Sequence, residues 1–590
     1  GQDVVDMNHK AIDQGAGALH EVKIPDSWKN PAPDAAKPAL KGEKATVDMV
    51  EKLMNPIALM DGDNLPVSAF KDIADGQFQL GASAYEKRGT AVNVPEWDST
   101  KCIQCNNCAF VCSHATIRPY LLTDEEAAEV DKNGGKAVDL KPKAGKYKFT
   151  LSVSPLDCMG CGECTTVCPV QALTMVPQET RLSEQPAWNY LVANVSKKTD
   201  SGFGDNTVKG SQFNQPLLEF SGSCAGCAET SYARLITQLF GEHMYISNAT
   251  GCSSIWGGPA ATAPYTINKD SKKGPAWANS LFEDNAEHGL GMYSGQKYIR
   301  DNLIEKLTSM EASGSLKEAI DKFIETKDKT IENSPAASAL IAELEKDGSA
   351  AAKEILEQKD YLAKKSVWIF GGDGWAYDIG YGGLDHILHS GENVNILVLD
   401  TEGYSNTGGQ QSKSTPFGAS MKFAIGGKEH AKKDLGMIAM MSGAYVAQIA
   451  LGANPAQAIR AFREAESFNG PSIILAYAPC IAHGFALQNG VEHQQMLVNT
   501  GAWPLYRFDP RLALDGHSPL TMDSSVDNPM PLEDFLKTES RFGAARAVNP
   551  KFDKLVENAK ANNRYKDELK KYIAQFAMNA NNPIKENGEG

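Results

Sequence analysis

Eight of the twelve cysteines fall into two compressed quartets. The segment CIQCNNCAFVC contains Cys102, Cys105, Cys108 and Cys112, and CMGCGECTTVC contains Cys158, Cys161, Cys164 and Cys168. Each quartet has the C-x2-C-x2-C-x3-C spacing, in which three thiolates within seven residues wrap one iron–sulfur cube. The fourth thiolate lies a helical turn further on and reaches a second cube. The spacing therefore predicts two [4Fe–4S] clusters with crossed ligand sets.

The crossed sets are assigned residue by residue. The first cluster takes Cys102, Cys105, Cys108 and Cys168, and the second takes Cys158, Cys161, Cys164 and Cys112. Structural zinc is the alternative, but its ligands usually come as two separated pairs. Six disulfides are a second alternative, although such tight spacing without a signal peptide favours metal ligation in a reducing compartment. Ser113 stands where the motif usually has proline, and we interpret the adjacent His114 as a packing residue.

Four cysteines remain, which is the number that one more cubane needs. They are Cys224 and Cys227 in GSCAGC, Cys252 in NATGC and Cys480 in YAPC. Cys252 and Cys480 follow predicted strands, and the carboxyl ends of parallel strands form a ligand crevice. Spacing alone leaves Cys480 open between a fourth ligand and a buried free cysteine.

A second constellation is rich in glycine and oxygen donors. GGDGWAYDIGYGG follows the apolar run SVWIF, and NVNILVLD leads into TEGYSNTGGQ. Asp373 and Thr401 are 28 positions apart (401 − 373), as in the GDG-to-Asn motif that binds thiamine diphosphate, with Thr401 in place of Asn. Because Mg²⁺ prefers oxygen ligands, Asp373, Thr401 and the carbonyl of Gly403 are the candidate magnesium ligands.

Further residues of these loops are candidates for the cofactor itself. Gly372 and Gly374 lack a Cβ, so a diphosphate can approach the backbone there. Asn406 is the candidate catalytic residue, and Thr407 on the same loop is a candidate cofactor contact. The alternative is a glycine-rich turn at a strand end that binds nothing.

The elements that must position these residues are predicted from alternating apolar runs and helical patterns. Residues 198–590 are expected to form an α/β domain with a mostly parallel sheet flanked by helices, carrying thiamine diphosphate and the third cluster. Residues 93–197 are expected to form a small α+β ferredoxin-like domain. Residues 26–92 are interpreted as a linker and small domain, and 1–25 as the tail of an upstream domain. The run MIAMMSGAYVAQIALGA from Met437 is interpreted as a buried helix, and 296–365 as a solvated helical insertion.

Length and charge limit the class of protein. At 590 residues the chain is too long for one hydrophobic core, and its formal charge of −15 argues against nucleic acid as a partner. The longest weakly charged run is too short for a comfortable membrane span. Because the chain begins at Gly1 without an apolar signal core, we expect a trimmed or cleaved cytoplasmic protein.

Together, the motifs resemble the C-terminal half of the pyruvate:ferredoxin (flavodoxin) oxidoreductase family. The resemblance rests on CIQCNNC, CMGCGEC, GSCAGC, NATGCSSIWGG, FGGDGWAYDIGYGGLDH and DTEGYSNTGGQ. It implies a proximal cluster held by Cys224, Cys227, Cys252 and Cys480, and that family has Thr at the position of Thr401. The implied cofactors are thiamine diphosphate, Mg²⁺ and three [4Fe–4S] clusters, with coenzyme A as co-substrate.

The resemblance also implies a reaction and partners. Pyruvate and coenzyme A would give acetyl-CoA and CO₂, with electrons passed to ferredoxin or flavodoxin. The missing N-terminal half, or a complementary subunit, would be required for activity, and the complete enzyme is expected to be a dimer. Two rivals explain less: a non-redox thiamine decarboxylase has no use for twelve cysteines, and a pure electron-transfer subunit has no use for the GDG segment.

Overall fold

The structure is a computed structural model that describes residues 2–29, 39–141, 146–258, 262–524 and 529–579. The chain divides into two compact units, Gly1–Val47 and Asp48–Gly590. In the first unit, helix α1 (Gln2–Gly15) has no buried residue. The domain boundaries after residues 25, 92 and 197 stay predictions.

Short helices precede and surround the cysteine quartets. These helices are α2 (Lys44–Met49), α3 (Asn55–Ala58), α4 (Asn107–Val111), α5 (Asp124–Lys132), α6 (Glu163–Thr166) and α7 (Gln185–Asn194). The strands of this region are β1 (Asn93–Trp97), β2 (Ile117–Leu122), β3 (Val138–Asp139), β4 (Lys148–Val153) and β5 (Leu173–Pro177). Strands β1 and β5 pair antiparallel, and β2, β4 and β3 form a second antiparallel sheet. This is the small α+β architecture expected of a ferredoxin-like domain.

The remaining strands form one large sheet. They are β6 (Met244–Asn248), β7 (Ala276–Asn279), β8 (Ser366–Gly372), β9 (Asn395–Asp400), β10 (Tyr445–Ile449), β11 (Ser472–Tyr477), β12 (Tyr506–Phe508) and β13 (Leu520–Met522). Among the described residues their order is β13-β12-β10-β11-β9-β8-β6-β7. Strands β6 to β11 run parallel, whereas β12 and β13 pair antiparallel at one edge. The predicted α/β class with a mostly parallel sheet is confirmed.

The remaining helices belong to the same part of the chain. They are α8 (Val208–Ser211), α9 (Ala228–Phe240), α10 (Cys252–Gly257), α11 (Asn285–Ser309), α12 (Gly314–Thr326), α13 (Thr330–Asp347), α14 (Ala350–Leu356), α15 (Tyr381–Leu388), α16 (Leu435–Met441), α17 (Pro455–Ser467), α18 (Gly490–Asn499), α19 (Arg511–Leu514), α20 (Leu532–Leu536), α21 (Ser540–Val548) and α22 (Phe552–Asn579). Ile369 and Ile396 belong to the core on one face, and Trp368 and Leu397 to the core on the other. Because successive strand residues point to opposite faces, a sheet covered on both sides needs apolar residues at every position.

Two predictions about helices have different outcomes. The segment from α11 to α14 is helical as expected, and it has a small apolar core of its own around Phe323 and Leu340. The single buried helix predicted from Met437 is wrong: α16 ends at Met441, and the chain turns at Gly443, whose φ is 75°. The second half of that run is the central strand β10. Apolar periodicity cannot separate a short buried strand from a buried helix, and the glycine marked the break.

No helix within the described ranges is long and apolar enough to cross a membrane.

Candidate active site

Four neighbouring parallel strands bring the predicted site residues to one edge of the large sheet. Strands β11, β9, β8 and β6 are adjacent in that order, and their carboxyl ends lead to Cys480, Thr401, Asp373 and Cys252. In open parallel sheets this edge is the usual position of a ligand crevice. The fold therefore brings together residues that are up to 228 positions apart in the chain (480 − 252).

The three candidate magnesium ligands converge. The hydroxyl of Thr401 lies 3.1 Å from Asp373 Oδ1 and 3.1 Å from the carbonyl oxygen of Gly403. The Thr401 amide also donates to Asp373 Oδ1, and the hydroxyl of Ser412 donates to Asp373 Oδ2 at 2.5 Å. The hydroxyl of Ser405 donates to Thr401 Oγ1 at 3.1 Å. These hydrogen bonds fix the orientations of the Asp373 and Thr401 side chains.

This donor set has the chemistry and spacing that Mg²⁺ requires. All three candidate ligands offer oxygen atoms, and Mg²⁺–oxygen distances of about 2.0–2.1 Å in an octahedron separate adjacent ligands by about 2.9 Å. The observed separations of 3.1 Å are close to that value. Asp373 is fully buried, and burial raises its pKa to about 8, with the neighbouring Asp400 adding to the effect. A bound cation would supply the counter-charge that this carboxylate lacks.

The four cysteines outside the quartets line one cavity of about 150 Å³. Cys224 and Cys227 precede α9, Cys252 begins α10, and Cys480 follows β11. Burial raises the pKa of the Cys252 thiol, and Glu229 and then the other three cysteines add to the effect, so all three cysteines lie near Cys252. Buried thiols of this kind become thiolates when a cationic centre binds them. Thr401 and Asn406 line the same cavity, so this cysteine site adjoins the predicted magnesium site.

The two quartets lie close to each other, and the members of each predicted crossed set are neighbours. Cys168 lines a small cavity of about 20 Å³ together with Cys102, Cys105 and Cys108. Burial raises the pKa of Cys158 to about 11 and of Cys161 to about 12, and Cys112 contributes in each case. Cys112 also contributes to the raised pKa of Cys164. All twelve cysteines are free thiols. Their roles as cluster ligands stay predictions.

The second quartet lies directly against the four-cysteine cavity. A Cβ on Gly226, between Cys224 and Cys227, would lie 3.4 Å from Cys161 Cβ and 3.2 Å from Leu487 Cβ. The φ of Gly226 is 79°, which favours glycine at this close approach. The hydroxyl of Thr166 donates to the carbonyl of Gln488 at 2.8 Å across the same boundary. The two sites therefore adjoin through packed loops.

The remaining predicted cofactor residues differ in their surroundings. Asn406 is exposed and lines the cavity, whereas the hydroxyl of Thr407 donates to Gln410 Oε1 at 2.6 Å within its own loop. A Cβ on Gly374 would lie 2.6 Å from the ring of Tyr404, so this glycine makes room for that ring. At Gly372 a Cβ would meet only one backbone oxygen, at 3.9 Å.

Sequence reasoning missed a buried carboxyl group at the cavity. Glu229 lies on α9, lines the cavity and accepts a hydrogen bond from Trp256 Nε1 at 2.8 Å. Burial raises the pKa of Glu229 to about 7. An acidic residue is rarely fully buried without a specific partner, but nothing local in the sequence showed that Glu229 is buried or that Trp256 is its partner.

A buried ionic network behind the magnesium site was also missed. Arg541 pairs with Glu402 and with Glu539 at 2.6 Å each. His483 Nε2 donates to the carbonyl of Thr401 at 2.8 Å, and Glu539 lies 3.3 Å from the other ring nitrogen. The network therefore fixes the Thr401 carbonyl through His483, which is itself held by Glu539. Its members are far apart in sequence, so no local spacing reveals it.

Comparisons with known proteins assign family models to three parts of the chain. The chain matches three family models: EKR, a domain of unknown function, over residues 35–91; the 4Fe-4S dicluster domain over 101–172; and the thiamine pyrophosphate enzyme, C-terminal TPP binding domain, over 348–476. It is 46% identical over 589 residues to the pyruvate:ferredoxin oxidoreductase of Moorella thermoacetica, covering 98% of this chain and 50% of that protein. The chain is homologous to about half of that enzyme. The family resemblance is thereby confirmed.

Other pyruvate oxidoreductases match in the same way. The pyruvate-flavodoxin oxidoreductase of Klebsiella pneumoniae is 46% identical over 95% of this chain and 48% of its own length. The mitochondrial pyruvate dehydrogenase [NADP(+)] of Euglena gracilis is 44% identical over 95% of this chain and 31% of its own length. The chain thus spans about half the length of the bacterial oxidoreductases that it matches, as expected for one half of such an enzyme.

A solved 2-oxoglutarate:ferredoxin oxidoreductase from Magnetococcus marinus, with 2-oxoglutarate, coenzyme A and succinyl-CoA bound, overlaps 44% of this chain and 65% of that chain. At 14% identity and a TM-score of 0.28, this overlap carries no argument.

Proposed function

We propose that this chain is the cluster-bearing and thiamine-binding half of a pyruvate:ferredoxin or pyruvate:flavodoxin oxidoreductase. The complete enzyme would convert pyruvate and coenzyme A to acetyl-CoA and CO₂ and pass two electrons to ferredoxin or flavodoxin. The observation that carries the proposal is the shared cavity, where Thr401 and Asn406 lie beside four cysteines. A non-redox thiamine enzyme has no need for thiolates at that position.

The residues of the chain have separable roles in this proposal. When bound, thiamine diphosphate supplies the carbanion chemistry that decarboxylation requires. Asp373, Thr401 and the Gly403 carbonyl would hold the Mg²⁺ that neutralises its diphosphate, and Ser412 would keep the Asp373 carboxylate oriented. Asn406 at the cavity would contact the reacting end.

The cysteine sites suggest an order for electron transfer. Cys224, Cys227, Cys252 and Cys480 would hold the cluster beside the thiamine site. The loop between Cys224 and Cys227 packs on Cys161, so the cluster of the second quartet would be next in line. The cluster at Cys102 would be last, where Ile103 is 49% exposed and a carrier protein can approach.

The proposed partners follow from the share of the relatives that the chain covers. The other half of the enzyme, joined or as a separate subunit, would cover the strand-end edge and supply the rest of the substrate site. A dimer of the complete enzyme and a cytoplasmic location belong to the same proposal.

The test is reconstitution of activity. The chain is loaded anaerobically with iron, sulfide, Mg²⁺ and thiamine diphosphate and combined with the other half from a close relative. Pyruvate and coenzyme A should then reduce ferredoxin or flavodoxin, and 2-oxoglutarate should be a poorer substrate. A fully loaded assembly that decarboxylates pyruvate without reducing either carrier would contradict the proposal.

A further inference from the structure

The segment of residues 83–94, which we call the bridging segment, contains the tripeptide Glu86-Lys87-Arg88. Most of it lies in the matched domain of unknown function, residues 35–91. It contributes no residue to any of the predicted metal or cofactor sites. It lies between two loops that do: the second-cluster loop, residues 155–160, which contains Cys158, and the proximal loop, residues 219–224, which contains Cys224.

The bridging segment contacts the second-cluster loop through an ion pair, a backbone hydrogen bond and apolar packing. Lys87 Nζ lies 2.5 Å from Asp157 Oδ2, and the Asp157 side chain is only 2% exposed. The amide of Gly89 donates to the carbonyl of Leu156 at 2.8 Å. Ala91 packs in one apolar cluster with Cys158, a predicted ligand of the second cluster.

The same segment also contacts the proximal loop, mainly through side chains that donate to its backbone carbonyls. Arg88 donates from one guanidinium nitrogen to the carbonyls of Phe220, at 2.5 Å, and Ser221, at 3.1 Å. The Ser83 hydroxyl donates to the carbonyl of Glu219 at 3.0 Å. Lys87 Nζ lies 5.1 Å from the centre of the Phe220 ring. Two consecutive side chains, Lys87 and Arg88, therefore reach both loops.

The backbone has an unusual conformation where Lys87 of the bridging segment meets Phe220 of the proximal loop. Lys87 has a φ of 44° and Phe220 a φ of 52°, a region that non-glycine residues adopt infrequently. Such conformations persist only where surrounding contacts fix them, and they occur preferentially at functional sites. Here Arg88 holds the Phe220 carbonyl and Lys87 lies over the Phe220 ring, while the Phe220 amide donates to the carbonyl of His114 at 3.0 Å.

We propose that Lys87 and Arg88 are positioning residues that set the separation between the second cluster and the proximal cluster. This inference rests on the proposed function, because it requires clusters at both loops. Lys87 anchors the loop of Cys158 through Asp157, and Arg88 anchors the loop of Cys224 through two carbonyls. Just beyond these loops Gly226 packs against Cys161, so the bridging segment would prevent the two loops from sliding past each other. Its role would be to keep one electron-transfer distance constant.

The test uses the full chain, loaded anaerobically with iron and sulfide, and needs no substrate turnover. Lys87→Met and Arg88→Met are compared with the wild type by iron content and by electron paramagnetic resonance after reduction with dithionite. Reduced clusters couple magnetically with a strength that falls as the cube of their separation, so the coupling reports their geometry. Lys148→Met is the matched control, since Lys148 pairs with Asp139 on the ferredoxin-like region away from both loops.

We expect both variants to keep their iron and to show altered or broadened coupling signals, while Lys148→Met matches the wild type. Amide exchange in residues 156–161 and 220–224 should rise by about ten- to a hundredfold, because a charge-assisted hydrogen bond to each loop is lost. Lys87→Arg should restore much of the coupling, because it keeps a cation beside Asp157. A merely structural role would change the exchange rates but leave the coupling at the wild-type pattern.

Unchanged coupling in both methionine variants would overturn the inference and leave the proposed function standing. A wild-type chain that takes up no cluster contradicts the proposed function itself, and the inference falls with it. If Arg88→Met loses its clusters, Arg88→Lys decides: it keeps the charge, but its side chain is one bond shorter, so the ammonium does not reach the position from which one Arg88 nitrogen donates to both carbonyls. Altered coupling in that variant supports the inference, and wild-type coupling overturns it.

Discussion

The ferredoxin-like region and the strand-end site bring cysteines together by different means. The two quartets place eight cysteines within 67 residues (Cys102 to Cys168), on short loops between small antiparallel sheets. The strand-end site collects four cysteines from Cys224 to Cys480, and a parallel sheet buried on both faces brings them together. The two quartets can complete their crossed clusters wherever the small ferredoxin-like region is folded, whereas the strand-end site exists only when the large sheet is folded. Changes to the sheet should therefore weaken binding of thiamine diphosphate and assembly of the proximal cluster, but leave the quartet clusters intact.

The largest expected effect is that of Asp373→Ala. Asp373 is the anionic member of the predicted magnesium set, and its two oxygens bond Thr401 and Ser412. We expect Mg²⁺-dependent thiamine diphosphate binding to be abolished, while the quartet clusters are still reduced by dithionite. Calorimetric titration of cofactor and iron analysis measure the two parts. Asp385→Ala is the control, because Asp385 lies on α15 with a half-exposed side chain, and cofactor binding at wild-type strength in Asp373→Ala would disprove the role.

Cys480→Ala tests whether damage to the strand-end cluster leaves the two quartet clusters unchanged. Removing one of four thiolates should disable the cluster beside thiamine, but both quartets keep complete ligand sets. In the reconstituted enzyme, pyruvate-driven reduction of ferredoxin should largely fail, whereas dithionite should still reduce the two quartet clusters. Paramagnetic resonance of pyruvate-reduced and dithionite-reduced protein separates these outcomes. Three intact cluster signals with near-normal turnover would make Cys480 a core residue only.

Arg541→Met probes the network beneath Thr401. It leaves Glu402 and Glu539 buried without their shared cation, which costs about 3–5 kcal/mol in comparable buried pairs. The midpoint of chemical unfolding of the α/β region should fall, with little change in the spectra of the quartet clusters. Arg546→Met is the control, because its pair with Asp553 is exposed and such pairs contribute about 0–1 kcal/mol. Equal losses in the two variants would contradict the account of the network.

The smallest expected effect is that of Ser405→Ala. The variant loses one hydrogen bond to Thr401 Oγ1, and a neutral hydrogen bond contributes about 0.5–1.5 kcal/mol. Affinity for Mg²⁺ and thiamine diphosphate should fall by about two- to tenfold, with no change in iron content. Ser309→Ala, on the helical insertion, offers a control hydroxyl remote from the sheet edge. A complete loss of binding would show that Ser405 is a ligand rather than a support.

The same contrast explains what the sequence predicted. Quartet spacing alone led to the crossed sets, because the ligands are local, and four buried strands were recognised from apolar runs. Strand β10 was misread because only Ser442 and Gly443 separate the apolar residues of α16 from its own apolar run. Glu229 with Trp256 and Arg541 with Glu402 could not be paired from sequence, since only the folded sheet brings these partners together. Spacing left Cys480 open for the same reason, and its role as a fourth ligand, implied by the family resemblance, stays a prediction although it lines the shared cavity.

The most direct test of the central claim is the iron and sulfide content of the anaerobically prepared wild-type chain. Two quartets and one strand-end cluster predict about twelve irons per chain, four for each cubane. The same preparation of Cys480→Ala should retain about eight, because only the strand-end set is incomplete. About eight irons in the wild type would contradict a cluster at the strand-end site, and zinc in place of iron would contradict the assignment of all three.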